Sequence, residues 1–254
     1  MGKQVWRAVV AGGAAAVFTA VAAVPAGAAE GGASFSRVQV NGGKPIVIGT
    51  SKEVVYPASF RVVTTRVWRW QPLVYLYRNG VEDKLWQTMG GDVCPNRVGT
   101  CDARQRLHFD PGGHGMRNSE AGVWKVAGEV LFKDGSKDVD ATGVTVQLRR
   151  DSHLIVNASP EPVAKGKTLT VTGKITRANW ETRKYGVYGS RQVNLQFKPA
   201  GASAYTLVKK VRANGSGALR TTVKASKTGT WRWAYVGDTT TGASVSLGDY
   251  VVVK

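Results

Sequence analysis

Residues 157–180 read NASPEPVAKGKTLTVTGKITRANW, and this stretch marks the start of a second folding unit. Pro160 and Pro162 lack backbone N–H donors, so the segment around them is extended and cannot lie inside a paired ladder. From Thr168 to Thr176 polar and apolar residues alternate, which is typical of a β-strand with one buried face. The sequence therefore predicts one β module before this stretch and another that is built around it.

The N-terminus has the composition of a secretory signal peptide. Lys3 and Arg7 precede an uncharged apolar run over residues 8–24, and small residues follow it. The run is short for a membrane span, which needs about 20 apolar residues. We predict that residues 1–29 are removed on export and that the mature protein is extracellular, with no segment spanning a membrane.

The two cysteines, Cys94 and Cys101, predict a structural disulfide. Pro95, Asn96 and Gly99 lie between them, so a tight loop can bring the two Cα atoms within bonding range. An exported protein enters an oxidising compartment, in which such a bond persists. A zinc site would need two further ligands nearby, and this interpretation is disfavoured.

The positive charge of the chain is concentrated in its second half. The formal net charge is +18 at pH 7. Residues 151–254 contain 16 Lys and Arg against 5 Asp and Glu, whereas residues 30–150 contain 17 against 12. A field of this sign favours polyanions such as phosphate-rich wall polymers, anionic lipid surfaces or nucleic acid. The same charge also suits a domain that it merely keeps soluble, and composition leaves both interpretations open.

Short strand signals recur along the whole chain after residue 33. Alternating or β-branched segments are separated by turn signals such as Asn79-Gly80 and the segments 133–136 and 214–217. No window beyond the N-terminal region holds a helical period over three turns. We predict an all-β protein of two tandem immunoglobulin-like β-sandwich modules, residues 30–152 and 153–254.

Several blocks of the sequence resemble a family of proteins. They are AGVWKVAGEVLFKDG at 121–135, the stretch at 157–180, VNLQFKPAGASAYTLVKKV at 193–211, GALRTTVKAS at 217–226 and TGTWRWAYVGDTTTGASVSLGDYVVVK at 228–254. With these blocks the chain resembles small secreted two-module proteins of Streptomyces-type actinobacteria. The resemblance implies tandem immunoglobulin-like folds and an extracellular location. Because that family has no established activity, the resemblance assigns no catalytic residue.

Two polar loops contain residue types that bind metals, and neither matches a metal motif. His108, Asp110 and His114 lie in a Gly-rich loop whose spacing fits no zinc pattern. Oxygen-bearing residues alternate over 134–140, as Ca²⁺ ligands can, but the Gly and Glu of an EF-hand loop are missing. We predict no metal site and no cofactor, with calcium at 134–140 as an open alternative. No nucleophile elbow or phosphate loop is present either, so we do not expect an enzyme.

Two groups of aromatic residues have both a functional and a structural interpretation. Trp68 and Trp70 are two positions apart and share one strand face, so they are a candidate platform for stacking sugar rings. Trp231, Trp233 and Tyr235 share a second face, and a sandwich needs such a set in its core. We expect the second group to be structural.

The cations of the second module give a candidate surface for polyanions. They lie on two strand segments on either side of the turn at 214–217, and a hairpin would gather several of them on its outer face. The candidate residues are Lys209, Lys210, Arg212, Arg220 and Lys224.

These features together predict a secreted, non-catalytic and monomeric binding or envelope-associated protein. Its candidate partner is an anionic cell-wall polymer or polysaccharide that contacts the basic second module, without specific recognition of nucleic acid. The alternative is a carbohydrate-binding module that uses Trp68 and Trp70. An enzyme or a calcium-binding protein ranks third.

Overall fold

The computed structural model describes residues 32–85, 88–91, 94–113 and 115–254. The predicted signal peptide, residues 1–29, lies outside the described residues. Over the described ranges the regular structure consists of strands and two single-turn 3-10 helices, which confirms the all-β prediction. None of the helices in this part of the chain is long and apolar enough to cross a membrane.

The first module is a sandwich of two four-stranded sheets. One sheet has the order β1-β3-β6-β5 and the other has the order β2-β8-β7-β4. The strands are β1 (Ala33–Val40), β2 (Ile46–Ile48), β3 (Val54–Thr64), β4 (Trp68–Tyr77), β5 (Thr88–Gly91), β6 (Gly99–Phe109), β7 (Gly122–Phe132) and β8 (Lys137–Arg150). Apart from β2, which runs parallel to β8, this is the strand order of a constant-type immunoglobulin domain.

The second module repeats most of this strand order, and the main change concerns one strand. In one sheet β10 lies between β9 and β14 and also pairs with β11, and the other sheet has the order β13-β12-β15-β16, with β17 also beside β15. The strands are β9 (Ser152–Ser159), β10 (Thr168–Asn179), β11 (Lys184–Val187), β12 (Gln192–Pro199), β13 (Thr206–Arg212), β14 (Ala218–Lys224), β15 (Gly229–Tyr235), β16 (Ser244–Val245) and β17 (Asp249–Val251). The change is that β13 pairs with β12, whereas its counterpart β5 pairs with β6.

Each sandwich has its own hydrophobic core. In β10 the predicted inward residues Leu169, Val171 and Ile175 are all buried. Gly173 continues this face without a side chain, because a Cβ there would lie 2.6 Å from the indole of Trp233. That indole donates from Nε1 to the carbonyl of Thr172 at 2.9 Å. The alternation predicted from the sequence therefore forms the centre of the second core.

The junction between the two modules contains almost no linker. Asp151 alone separates β8 from β9. Trp180, which follows β10, is buried in the core of the first module and donates from Nε1 to the carbonyl of Ile48 at 3.2 Å. Tyr185 of β11 donates its hydroxyl to the Asp151 carboxylate at 2.7 Å. Nothing in the sequence around Trp180 indicates that its side chain crosses into the first core.

Arg150 fastens the last strand of the first module to the second. Its backbone N–H donates to the carbonyl of Thr240 and its carbonyl accepts from Gly242, so the β15–β16 connection is held against it. Its side chain is buried and donates from Nε to the carbonyl of Ala178 at 2.6 Å. Burial, together with the nearby positive charge of Arg177, lowers the pKa of Arg150 to about 10. The junction is thus a packed and hydrogen-bonded contact.

Candidate functional site

The cationic candidates lie on two strands that each have only one partner in the described sheets. β13 pairs with β12, and β14 pairs with β10. The turn between them, residues 213–217, is fixed by Asn214, whose Oδ1 accepts from the backbone N–H groups of Ser216 and Ala218. The predicted hairpin of these two strands is wrong, because β13 and β14 belong to opposite sheets. The turn carries the chain from one sheet to the other at one side of the sandwich.

The side chains of β13 are exposed along nearly its whole length. Lys210 lies opposite Asn194 and Arg212 opposite Gln192, so both occupy the outer face of the sheet. Lys209 lies opposite the buried Leu195 but remains exposed, because no further strand covers this edge. β13 therefore presents cations on its outer face and at its open edge.

The cations of β14 lie on the outer face of the other sheet. Arg220 is opposite Thr172 and Lys224 is opposite Thr168. Neither of them, nor any of the three cations of β13, forms an ion pair within the part of the chain that the structure describes. We call the five residues Lys209, Lys210, Arg212, Arg220 and Lys224 the cationic edge. Because β13 and β14 belong to different sheets, the five positive charges surround one side of the sandwich.

A polar cleft of about 320 Å³ adjoins the cationic edge at the start of β12. Lys210 lines it together with Asn194 and Arg191. The Arg191 guanidinium lies 4.6 Å from the centre of the Tyr188 ring, and its Nη1 is 3.9 Å from Asp238. The cleft thus holds two cations, Arg191 and Lys210, and one carboxylate, that of Asp238.

Asp238 holds the wall of this cleft in place. Its Oδ2 accepts hydrogen bonds from the hydroxyls of Tyr188 at 2.5 Å and Tyr235 at 2.9 Å, and its Oδ1 accepts from the Thr240 N–H at 2.8 Å. Partial burial opposes ionisation of the carboxyl, but these hydrogen bonds together outweigh it and hold the pKa of Asp238 well below its usual range. For Tyr235, burial and the bonds to Tyr188 and Asp238 raise the pKa of the phenol. The network is structural, because the carboxylate oxygens are already used.

The candidate aromatic platform is corrected by the structure. Trp68 is 3% exposed and lies in the first core, whereas Trp70 is 65% exposed. Two register shifts in the pairing of β4 with β7, one between Trp68 and Trp70 and one between Trp70 and Leu73, explain the difference. Asn96 further fixes the buried residue by hydrogen bonds to both the N–H and the carbonyl of Trp68. Of the two residues of the predicted platform, only Trp70 therefore lies at the surface.

The second aromatic group is structural, as predicted. Trp231, Trp233 and Tyr235 are buried on the inner face of β15. The Trp231 ring packs on Phe197 with centroids 4.4 Å apart. These residues form the core and are not a binding surface.

The predicted disulfide is present. Cys94 and Cys101 are bonded, with their Cα atoms 6.0 Å apart. Cys101 lies on β6 and Cys94 precedes that strand, so the bond closes the connection between β5 and β6. Its role is to hold this connection against the first core, in which Cys94 is buried.

The oxygen atoms of the possible calcium hairpin are used within the protein. Asp138 accepts from the backbone N–H of Ala33 at 2.9 Å, and Asp140 accepts from that of Phe35 at 2.8 Å. Asp134 binds Ser136 and forms an ion pair with Arg66 at 2.9 Å. The three carboxylates therefore anchor β1 and the hairpin separately, which argues against a shared calcium ion. Over the described residues no group of three metal-binding side chains converges, and His114 lies outside them.

No family model matches the sequence, and no curated protein matches it. Among solved structures the chain is similar to the D00–D0 domain of intimin, at 13% identity and a TM-score of 0.29, covering 87% of this chain and 99% of that one. It is similar to the mouse nectin-like molecule 4 ectodomain, Ig1–Ig3, at 14% and 0.25, covering 87% and 64%. It is also similar to three N-terminal domains of the bacteriophage RB49 highly immunogenic outer capsid protein, at 12% and 0.31, covering 87% and 71%. These values are too low to carry function to this chain.

Proposed function

We propose that this protein is a non-catalytic extracellular binding protein whose cationic edge contacts an anionic polymer, such as a phosphate-rich polymer of the cell wall. The observation that carries the proposal is the cationic edge itself. Five exposed cations lie on the two open strands of one sandwich, with no carboxylate partner among the described residues. A linear polyanion can follow such an edge and neutralise several charges at once.

The cleft beside the edge strengthens this interpretation. Arg191 is held by stacking on Tyr188, so its guanidinium is oriented before any ligand arrives. Lys210 belongs to both the cleft and the cationic edge. A polyanion that lies along β13 therefore meets a further fixed cation at the start of β12. Fixed cations lose less side-chain freedom on binding than mobile ones, which favours affinity.

A second role of the same lysines has to be separated from binding. Lys on an open strand also prevents edge-to-edge pairing between molecules, so Lys209 and Lys210 protect against aggregation whatever they bind. Charge alone does not decide between the two roles. Arg220 and Lys224 lie on β14, which is open as well, so the two roles are separated by measuring the oligomeric state of each variant beside its polymer binding.

The composition of the cleft beside the cationic edge favours binding over catalysis. Asp238 is the one carboxylate that lines this cleft, and its Oδ2 accepts from the Tyr188 and Tyr235 hydroxyls. A hydrolase of the common two-carboxylate type needs a second acid across the cleft. A non-catalytic role is therefore part of the proposal.

The test is retention of the full-length mature protein on immobilised teichoic acid across a salt series. The variant Lys209→Glu/Lys210→Glu/Arg220→Glu should lose retention at low salt, and the salt dependence of the remainder should be shallower. The control is Lys52→Glu/Lys125→Glu/Lys133→Glu, which changes the net charge equally on exposed positions of the first module. If both variants lose retention to the same extent, total charge and not the cationic edge governs binding, and the proposal is wrong.

A further inference from the structure

The first module has a groove on the side where the edges of its two sheets meet. It consists of two adjoining clefts of about 540 and 360 Å³. Gly91 of β5 and Arg104 and Gln105 of β6 line both of them. The groove runs from the outer face of β3 and β6 to the exposed start of β4. It is separate from the cationic edge, which lies on the second module.

One end of the groove is aromatic and apolar. Trp70 lines it and is 65% exposed, an unusual exposure for the largest apolar side chain. Pro72 and Leu73 extend the apolar wall along β4. A flat and accessible indole beside a half-open groove is suited to stacking against the face of a planar or ring-shaped ligand.

The other end of the groove is cationic. Arg104 and Arg106 are two positions apart and both lie on the outer face of β6, about 7 Å from each other along the strand. Their neighbours on β3 are Ser59 and Pro57, and Gly90 of β5 lies beside Arg106. These small residues leave the two guanidiniums uncovered.

An arginine on the adjacent strand β3, Arg61, is neutralised by a carboxylate of β6. Asp102, two positions before Arg104, pairs with Arg61 in a two-bond contact at 2.6 and 2.8 Å. Neither Arg104 nor Arg106 forms an ion pair with any residue that the structure describes. No residue among those described therefore neutralises the positive charge in the groove.

The backbone of β4 disfavours an extended peptide as the ligand. A peptide that added a strand here would need free N–H and C=O groups along the edge of β4. Pro72 has no N–H, and the buried Gln105 side chain already binds both the N–H and the carbonyl of Val74 at 2.9 Å. Binding in this groove must therefore use side chains.

We propose that this groove binds an acidic saccharide, with one sugar ring stacked on Trp70 and carboxylate groups on Arg104 and Arg106. A guanidinium binds a carboxylate through two parallel hydrogen bonds that are strengthened by opposite charges, and a neutral sugar has no such charge. The side chains of Gln39 and Ser59 line the outer cleft and provide partners for hydroxyl groups. The charge of the groove and its exposed indole together select a sugar that is both flat-faced and anionic.

The experiment measures binding of the full-length mature protein to a galacturonic-acid oligosaccharide by calorimetry. Trp70→Ala and Arg104→Gln should each weaken the affinity about 10-fold or more, and Trp70→Phe should restore part of it. Because Trp70 and Arg104 are exposed, these variants should fold, which an unchanged melting temperature verifies. The matched control is Arg212→Gln on the second module, which should leave the affinity unchanged.

Two further probes decide the chemical class of the ligand. The methyl-esterified oligosaccharide keeps the sugar rings but has no charge, and polyglutamate keeps the carboxylates but has no sugar. Selective binding of the acidic sugar supports the proposal. Absence of binding, equal binding of the ester, or tighter binding of polyglutamate overturns it. Because Arg104→Gln leaves the cationic edge intact, its retention on teichoic acid should not change, so this proposal and the proposed function can fail independently.

Discussion

Strands β5 and β13 occupy corresponding positions in the order of the two modules, but they pair in different sheets. In the first module, β5 crosses to pair with β6, and the edge of β4 stays open. In the second, β13 stays beside β12, and β14 stays open. The connection before β13 spans residues 200–205, whereas the one before β5 spans residues 78–87. A short connection favours pairing with the preceding strand, and a longer one permits crossing to the other sheet.

This difference decides which surface each module leaves uncovered. The open edge of β4 carries Trp70 and borders the groove of the first module. The open strands β13 and β14 carry the cations of the second. Two sandwiches with the same core strands thus acquire different candidate ligands through the position of one strand. If this comparison holds, the two cores are independent and the open edges serve as binding surfaces.

The largest expected effect is in the core of the second module. Trp233→Ala removes a fully buried indole that packs against Gly173, and it should cost about 3–5 kcal/mol of unfolding free energy. Chemical denaturation should show the second module unfolding first. The comparison variant Trp70→Ala, on the open side of the first module, should change stability by less than about 0.5 kcal/mol. Equal effects of the two substitutions would contradict the assignment of core and surface.

Removal of the disulfide should have the next largest effect, confined to the first module. Cys94→Ser/Cys101→Ser opens a short loop and should destabilise by about 2–3 kcal/mol. Calorimetry should show a lower melting temperature for the first module and little change in the second. A shift of both transitions together would mean that the junction joins the modules into one cooperative unit.

Acid should weaken the second module through Asp238. The folded-state pKa of Asp238 lies below its unfolded value, so its stabilisation is complete above about pH 4 and is lost as the pH falls through the folded-state pKa. Asp238→Asn should destabilise by about 1–2 kcal/mol at pH 7, because the tyrosine hydroxyls lose a charged acceptor. The difference between variant and wild type should shrink as the pH falls from 5 to about 2. A constant difference over this range would show that ionisation of Asp238 does not contribute.

The smallest expected effect is that of the cationic edge on folding. Lys209→Glu/Lys210→Glu/Arg220→Glu changes only exposed side chains, so unfolding free energy should shift by no more than about 0.5 kcal/mol. Circular dichroism melts at moderate salt measure this directly. A large loss of stability would mean that these cations serve the fold, and the loss of polymer binding could then not be assigned to the surface.

The local patterns of the sequence predicted the strands well. The alternation over Thr168–Thr176 became the central strand β10, and the burial of Trp231 and Trp233 followed from their spacing. The disulfide followed from two cysteines in a short loop. These features depend on neighbours close in sequence, where period and turn chemistry determine the outcome.

The features that the sequence did not predict depend on distant partners. The turn at 214–217 predicts a reversal of direction, but not that the chain changes sheets there. The register shifts that bury Trp68 and expose Trp70 depend on how β4 pairs with β7. Arg104 and Arg106 were not predicted as site residues, because nothing in the sequence places Gly90 and Pro57 beside them. The one usable signal was their spacing of two positions, which places both side chains on the same face of a strand.

Because a single residue separates β8 from β9, the groove and the cationic edge are held at a fixed distance from each other. A flexible tether would let two binding surfaces search for a common ligand, whereas Arg150 and Trp180 hold the two modules in one arrangement. For a long acidic polysaccharide that binds as we propose, the distance between the groove and the cationic edge then sets the minimum length that can contact both. Chains long enough to reach both surfaces gain avidity, and shorter chains bind one surface at a time.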